Sequence, residues 1–196
     1  MGLGSLLNFS VADAMNMPFT NGSFDLSMLA TFYFELYNVN ILFYFVKVWS
    51  MESGEHMPDK KLFVGELLRV TSSGGRLIVV TWCKREDKDK PLTYYEERLL
   101  SKICDAYYLP QWVSASKYDE ISKELGLQDF KCEDWTQFVI PFWGAVIRSA
   151  FSPLNLLRLL WGGWTTVKAG IAAVWMLRGI QEGVIKFIIF TGKKEL

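Results

Sequence analysis

Apolar positions recur along this chain with two periods, and each period predicts an element. Phe63, Leu67 and Val70 fall at i, i+4 and i+7 behind Asp59, which predicts an amphipathic helix with Asp59 as its N-cap. The run TSSGG at 71–75 ends that helix, with glycine at a position that tolerates positive φ. The continuous apolar run LIVV at 77–80 then predicts a strand covered on both faces. Helix, glycine turn and doubly buried strand form the second half of a βαβ crossover, which predicts a parallel α/β sheet. Residues 95–106 read as a helix with Leu99, Leu100 and Ile103 on one side, and Ser116 with Asp119 marks the start of another, ended by Gly126. Residues 127–135, with Phe130, Cys132 and Trp135 near alternation, and residues 184–190 read as strands. Between them Val167, Ile171, Val174 and Trp175 keep helical spacing. Near the start, residues 7–11 alternate loosely as a short strand, and Asn21-Gly22-Ser23 has the chemistry of a turn.

One stretch breaks the pattern. From Ser27 to Val46 the only charge is Glu35, and the length approaches that of a membrane span. Asn38 and Asn40 interrupt it, and its aromatics are spread through it instead of girdling its ends, so a buried or misplaced apolar segment is expected.

Composition narrows the function classes. With 196 residues, 51% of them hydrophobic, the chain supports a core without a disulfide or metal staple and is not a disordered polymer. Its 21 basic and 21 acidic residues cancel, which argues against a nucleic-acid partner. Cys83, Cys104 and Cys132 form no C-x-x-C pair and read as buried reduced thiols, and a single histidine builds no multi-histidine metal site. No targeting segment is recognisable in this sequence. The run KREDKDK at 84–90 is a solvated loop, and no internal repeat is seen.

The order of these pieces resembles a class I S-adenosylmethionine-dependent methyltransferase, and specifically the plant γ-tocopherol methyltransferase family. The resemblance lies in VADAMNMPF with FDL, VWSMESGEHMPDK, LLRVTSSGGRLIVVTWC, LLSKICDAYYLP, LQDFKCEDWTQFVIPFW and GVIKFIIFTGKK. It implies an α/β Rossmann-like sheet, in the family ordered 3-2-1-4-5-7-6 with the last strand antiparallel. Here it begins at the third strand. The first two strands and the glycine-rich cofactor loop have no counterpart, and Gly2 and Gly4 are no substitute. In the family FDL runs straight into VWSMESGEHM, whereas here an atypical apolar insert at 27–47 interrupts that strand. The expectation is a single partial methyltransferase domain over 1–196, with substrate-side helices within 84–182. The chain then reads as an N-terminally truncated product carrying a retained intron or a wrongly assigned exon, with the edge of the family's fourth strand left exposed.

The resemblance also assigns residues. Asp13 and Ala14 match the adenine contact, and Ser50 and Met51 the cofactor side of the next strand. Glu52 and His56 are expected as general bases that take the phenolic proton. Glu55, Trp112 and Trp143 are expected to line the substrate pocket. Gly74 and Gly75 have a structural role as a turn. The cofactor implied is S-adenosyl-L-methionine, with no metal, and the partner implied is a small hydrophobic phenolic substrate such as a prenylated chromanol. Peripheral membrane contact and a plastid location follow from the same resemblance, while oligomeric state does not. Two other functions stay open: indole-alkaloid N-methylation, and a catalytically inactive remnant.

Overall fold

The computed structural model describes residues 10–24, 26–30, 47–88, 90–153, 155 and 161–196, with 26–30 and 47 through their backbone alone. Its elements in chain order are β1 (Leu26–Ala30), β2 (Lys47–Met51), α1 (Lys60–Val70), β3 (Arg76–Lys84), α2 (Tyr94–Tyr107), α3 (Ala115–Glu124), β4 (Gln128–Asp134), α4 (Thr136–Ala150), α5 (Trp164–Gln181) and β5 (Ile185–Lys193).

The described strands form one sheet in the order β1-β2-β3-β5-β4. β1, β2 and β3 are parallel, and β5 runs antiparallel to both β3 and β4. From β2 onward this is the order 4-5-7-6 that the resemblance implies, with the last strand antiparallel. The expected open edge is not observed: β1 pairs along β2 with Leu26 opposite Lys47 and Ala30 opposite Met51, so the first residues of the insert cover it. Residues 31–46, the rest of the apolar run, lie outside the described residues. So do residues 7–9 of the first expected strand, while Ser10 and Val11 take no regular structure. No described helix is long and apolar enough to cross a membrane.

β3 shows why LIVV is apolar throughout. Leu77, Val79 and Cys83 face a cluster built with Phe63, Val64, Leu67 and Val70 of α1 and Tyr118 and Ile121 of α3. Val80 and Trp82 face the other way, onto Leu99, Ile103 and Cys104 of α2 and Met176 and Ile180 of α5. The result is a sheet with helices on both faces, as the period-2 alternation of a doubly covered strand requires.

Local chemistry sets the helix ends. Asp59 accepts the backbone N–H of Leu62 at 2.8 Å, as expected of an N-cap. Thr93 and Glu96 form a reciprocal capping box at the start of α2. α3 starts one residue before Ser116, and its first turn is capped from a distance. The Glu86 carboxylate accepts the Ser116 N–H at 2.7 Å and the Ser116 hydroxyl at 2.6 Å, so residues of the KREDKDK run order a helix. Glu86→Ala is expected to cost about 1 kcal/mol, the usual worth of a helix cap, measured as a lowered urea midpoint.

Two sequence expectations need correction. Thr71, not a glycine, is the C-cap of α1; Gly74, at φ 73°, instead turns the chain into β3. Cys132 is exposed, because β4 lies at the end of the sheet with its outer face uncovered, whereas Cys83 and Cys104 are buried. The apolar run after Trp135 is a helix, α4, that continues through Pro141. The missing proline N–H leaves the carbonyl of Gln137 without its helical donor, and Gln137 is exposed to water.

Candidate active site

The site is built where β2 ends. In an open α/β sheet, ligands bind beyond the carboxyl ends of the parallel strands. At Glu52 the chain enters the left-handed region, φ 49°, which a non-glycine residue seldom adopts, and the Glu52 N–H donates to the Val80 carbonyl at 2.8 Å. A single 3₁₀ turn, Gly54–His56, follows.

Two contacts lock this loop to the core. A Cβ on Gly54 would lie 2.8 Å from Thr81 Oγ1 and 3.1 Å from Tyr118 Oη, so the loop sits against β3 and α3 at a distance only glycine permits. Lys60, the first residue of α1, turns its buried ammonium back into the loop. Its Nζ donates to the carbonyls of Gly54 at 2.8 Å, Glu55 at 3.2 Å and Met57 at 2.6 Å. Sequence reasoning missed both Lys60 and Thr81. The signal for Lys60 was its placement: a cation at the first position of a helix opposes the macrodipole, so some other contact has to hold it there.

The loop concentrates titratable groups. Glu55 is buried, and Thr81 Oγ1 donates to its Oε2 at 2.6 Å. Burial raises the Glu55 carboxyl above its ordinary range despite that bond. Burial, with Glu55 nearby, also raises Glu52. His56 Nε2 lies 4.0 Å from Glu55 Oε1 with 37% of its side chain exposed, so it reaches solvent while touching the buried carboxylate. Burial, with Lys60 adding to it, pulls the imidazole below its usual value, which leaves it neutral and able to accept a proton near pH 7. Burial brings Lys60 down to about 8.

The Lys60 shift carries a stability consequence. Between pH 8 and 10.5 the unfolded chain holds the Lys60 proton more tightly than the folded chain, so folding stability rises with pH across that window. The gain is about 1.4 kcal/mol per pH unit between the two values. Urea unfolding at stepped pH should show this rise in the wild type relative to Lys60→Met, which lacks the group.

The expected cofactor residues are not all alike. Asp13 and Ala14 form a separate turn in which Asp13 Oδ1 accepts the Met15 N–H at 2.9 Å, and Ala14 packs against the same cluster as Met57 of the loop. Ser50 is fully enclosed and its hydroxyl is hydrogen-bonded to that of Ser53. Met51, half-buried, packs on the opposite cluster with Trp82, Trp112 and Trp143. Trp112 and Trp143 thus share a cluster with Met51 while Glu55 faces Thr81. Trp112 also lines a cavity of about 520 Å³ beside α2, together with Lys84, Leu92, Tyr94, Leu100 and Cys104. Among the described residues the indole N–H groups of Trp49, Trp112 and Trp143 are buried without a hydrogen-bond acceptor. An unpaired buried donor is costly unless something supplies an acceptor. No cluster of metal-ligating side chains occurs among the described residues.

Solved structures share this architecture. A sarcosine dimethylglycine methyltransferase described as putative, from Galdieria sulphuraria, superposes with a TM-score of 0.70 at 16% identity, over 94% of this chain and 57% of that one. Geranyl diphosphate C-methyltransferase from Streptomyces coelicolor A3(2), solved with S-adenosyl-L-homocysteine, superposes with a TM-score of 0.64 at 14% identity, over 94% and 51%. The fold is therefore that of the class I S-adenosylmethionine-dependent methyltransferases. No protein-family model matches the chain. Its sequence is 44% identical over 195 residues to a probable chloroplastic tocopherol O-methyltransferase of Oryza sativa subsp. japonica, covering 98% of this chain and 48% of that protein. It is 44% identical over 191 residues to the chloroplastic tocopherol O-methyltransferase of Arabidopsis thaliana, covering 96% and 49%. Identity to norajmaline N-methyltransferase of Rauvolfia serpentina is 29% over 196 residues, covering 98% and 60%. Across nearly its whole length the chain is a homologue of the tocopherol O-methyltransferases, and it spans about half the length of those two relatives.

Proposed function

We propose that this chain serves an S-adenosylmethionine-dependent methyltransferase of plastids that methylates the ring of a prenylated chromanol, as in vitamin E synthesis. The observation that carries the reading is the locked loop after β2. It carries one carboxyl raised by burial, Glu52, and one imidazole lowered by burial, His56, on the same short loop at the carboxyl end of a parallel strand, with His56 4.0 Å from the buried Glu55. A phenol must lose its proton before its ring carbon becomes a good nucleophile. Glu52 or His56 accepts that proton, and Lys60 and Thr81 keep the loop in place by the bonds described above. Trp112, which lines the cavity beside α2, packs in an apolar cluster with Trp143, an environment that suits a ring that is greasy apart from its oxygens.

The residues present fit the adenine side of S-adenosylmethionine. The Asp13 carboxylate keeps an oxygen beyond the one bound by Met15, suited to an exocyclic amine, and Ala14 is its apolar neighbour in the chain. Ser50, enclosed and bonded to Ser53, acts by shaping the loop instead of touching the cofactor. The bound sulfonium supplies an already activated methyl group, so the chain's own work is orientation and proton removal.

Incubation of the chain with radiolabelled S-adenosylmethionine and either γ-tocopherol or an indole alkaloid separates the related chemistries. Label in the chromanol is expected. Label in the alkaloid nitrogen alone would favour N-methylation. A specific observation keeps the inactive-remnant reading alongside: β1, drawn largely from the insert, takes the place beside β2 that the first strand holds in the family order.

A further inference from the structure

Tyr118 is a buried titratable group to which the methyl-transfer site, as described, gives no task. It lies on α3 with 0% of its surface exposed and its ring 5.0 Å from that of Phe190. Its hydroxyl is buried and makes no hydrogen bond of ordinary geometry among the described residues. A phenylalanine would fill the same place without the cost of an unpaired buried hydroxyl, so the oxygen asks for an explanation.

The surroundings of that hydroxyl supply one. A Cβ on Gly54 would lie 2.8 Å from Thr81 Oγ1 and 3.1 Å from Tyr118 Oη, so both hydroxyls press on one point of the loop. Thr81 directs its proton at Glu55 Oε2, at 2.6 Å, and its oxygen keeps lone pairs open to a donor. Burial pushes the Tyr118 phenol far up, so it stays protonated and able to donate, and the polar group acting on it most is Thr81, followed by Glu55. Beyond Thr81, Glu55 Oε1 stands 4.0 Å from His56 Nε2. The order in space is Tyr118 on α3, Thr81 on β3, then Glu55 and His56 on the loop. Other titratable groups face this row: Glu52 of the loop, Lys60 of α1, and Cys83 of β3, whose thiol burial keeps neutral. Burial and Lys60 oppose a charge on His56, whereas an ionised Glu55 favours one.

We propose that Tyr118 and Thr81 are positioning residues for the loop: when Glu55 is ionised, Tyr118 donates to Thr81, Thr81 donates to Glu55, and the carboxylate so held stabilises a proton on His56. Where that proton is the substrate's, the inference rests on the methyltransferase reading; the coupling itself does not. The chain has one histidine, so a single imidazole resonance in proton NMR reports the titration of His56 without any turnover. Thr81→Val removes the donor to Glu55 and should move the His56 midpoint to lower pH, since a less readily ionised Glu55 supports the imidazolium less. Tyr118→Phe should move it the same way by less, with the melting temperature unchanged or higher. Thr81→Ser restores the hydroxyl and should restore the wild-type midpoint. In the methyl-transfer assay Thr81→Val should lower kcat about tenfold with KM little changed, the worth of a hydrogen bond to a charged group. If Thr81→Val does not fold, Tyr118→Phe and Thr81→Ser decide. His56 midpoints that coincide in wild type, Thr81→Val and Tyr118→Phe would overturn the proposal, as would a shift in Thr81→Val that Thr81→Ser fails to restore. A shifted midpoint in a chain that transfers no methyl group would uphold the coupling and count against the methyltransferase reading alone.

Discussion

Glu52→Gln is expected to lower kcat for methyl transfer by about two to four orders of magnitude, the range that a positioned proton acceptor supplies. The variant keeps the side-chain shape and the backbone bond from Glu52 to Val80, so the left-handed turn should persist and KM should change little. His56→Gln tests the other candidate, and whichever substitution costs more identifies the acceptor. The pH profile gives a second readout. An acid limb of kcat/KM set by Glu52 lies above its ordinary value of 4.5, because burial raises that carboxyl, and one set by His56 lies below its ordinary 6.5, because burial lowers that imidazole. Activity falls as pH drops through the limb, because the protonated base accepts nothing. A Glu52→Gln and His56→Gln pair that both keep wild-type kcat would remove the proton-acceptor role from the loop.

Phe63→Ala should have the largest effect on stability, about 3–5 kcal/mol. Phe63 is fully buried in α1 and packs in the cluster with Val64, Leu67 and Leu77 that seats the helix on β2 and β3. Truncation leaves a cavity in a close-packed interior, and the same helix carries Lys60, so the loop should loosen with it. Thermal unfolding should drop by roughly 6–20 °C for a domain of this size. Phe138→Ala, at a position 67% exposed, should stay within about 0.5 kcal/mol and serves as the control.

Much of the fold was legible because its elements have strong periods. α1 with its Asp59 cap, the doubly covered β3, α2 and β5 all follow from spacing and end chemistry. α5 was legible as a helix but not in its orientation. Its sequence is apolar around most of its circumference, so Val167, Ile171 and Val174 gave the correct period while Ala172, Met176 and Gly179 form the buried face. Gly179 explains the choice: a Cβ there would meet Ile185 at 2.5 Å, so a small residue lets the helix approach β5 closely. α4 was hidden by Pro141, which argues locally against a helix that packing sustains. In the site, the ESGEH run announced itself as a constellation of acid and imidazole. Thr81 and Lys60 did not, because one is a hydroxyl inside an apolar strand and the other a lysine among surface-type neighbours; only the fold brings them to Glu55 and Gly54. The pairing of β1 with β2 was also beyond the sequence pattern, since nothing in LSMLA specifies that edge over another.

The most direct test is calorimetric titration of S-adenosylhomocysteine into the full chain, with thermal unfolding measured alongside. The account predicts saturable binding, and at 100 times the dissociation constant a stabilisation of about 2.7 kcal/mol. Asp13→Ala should weaken that binding while leaving the unliganded melting temperature unchanged, because Asp13 is exposed and bonds only its own turn. A folded chain that gives no heat and no shift would contradict the methyltransferase reading of this chain. It would leave the inactive remnant, with β1 filling the place beside β2, as the better description.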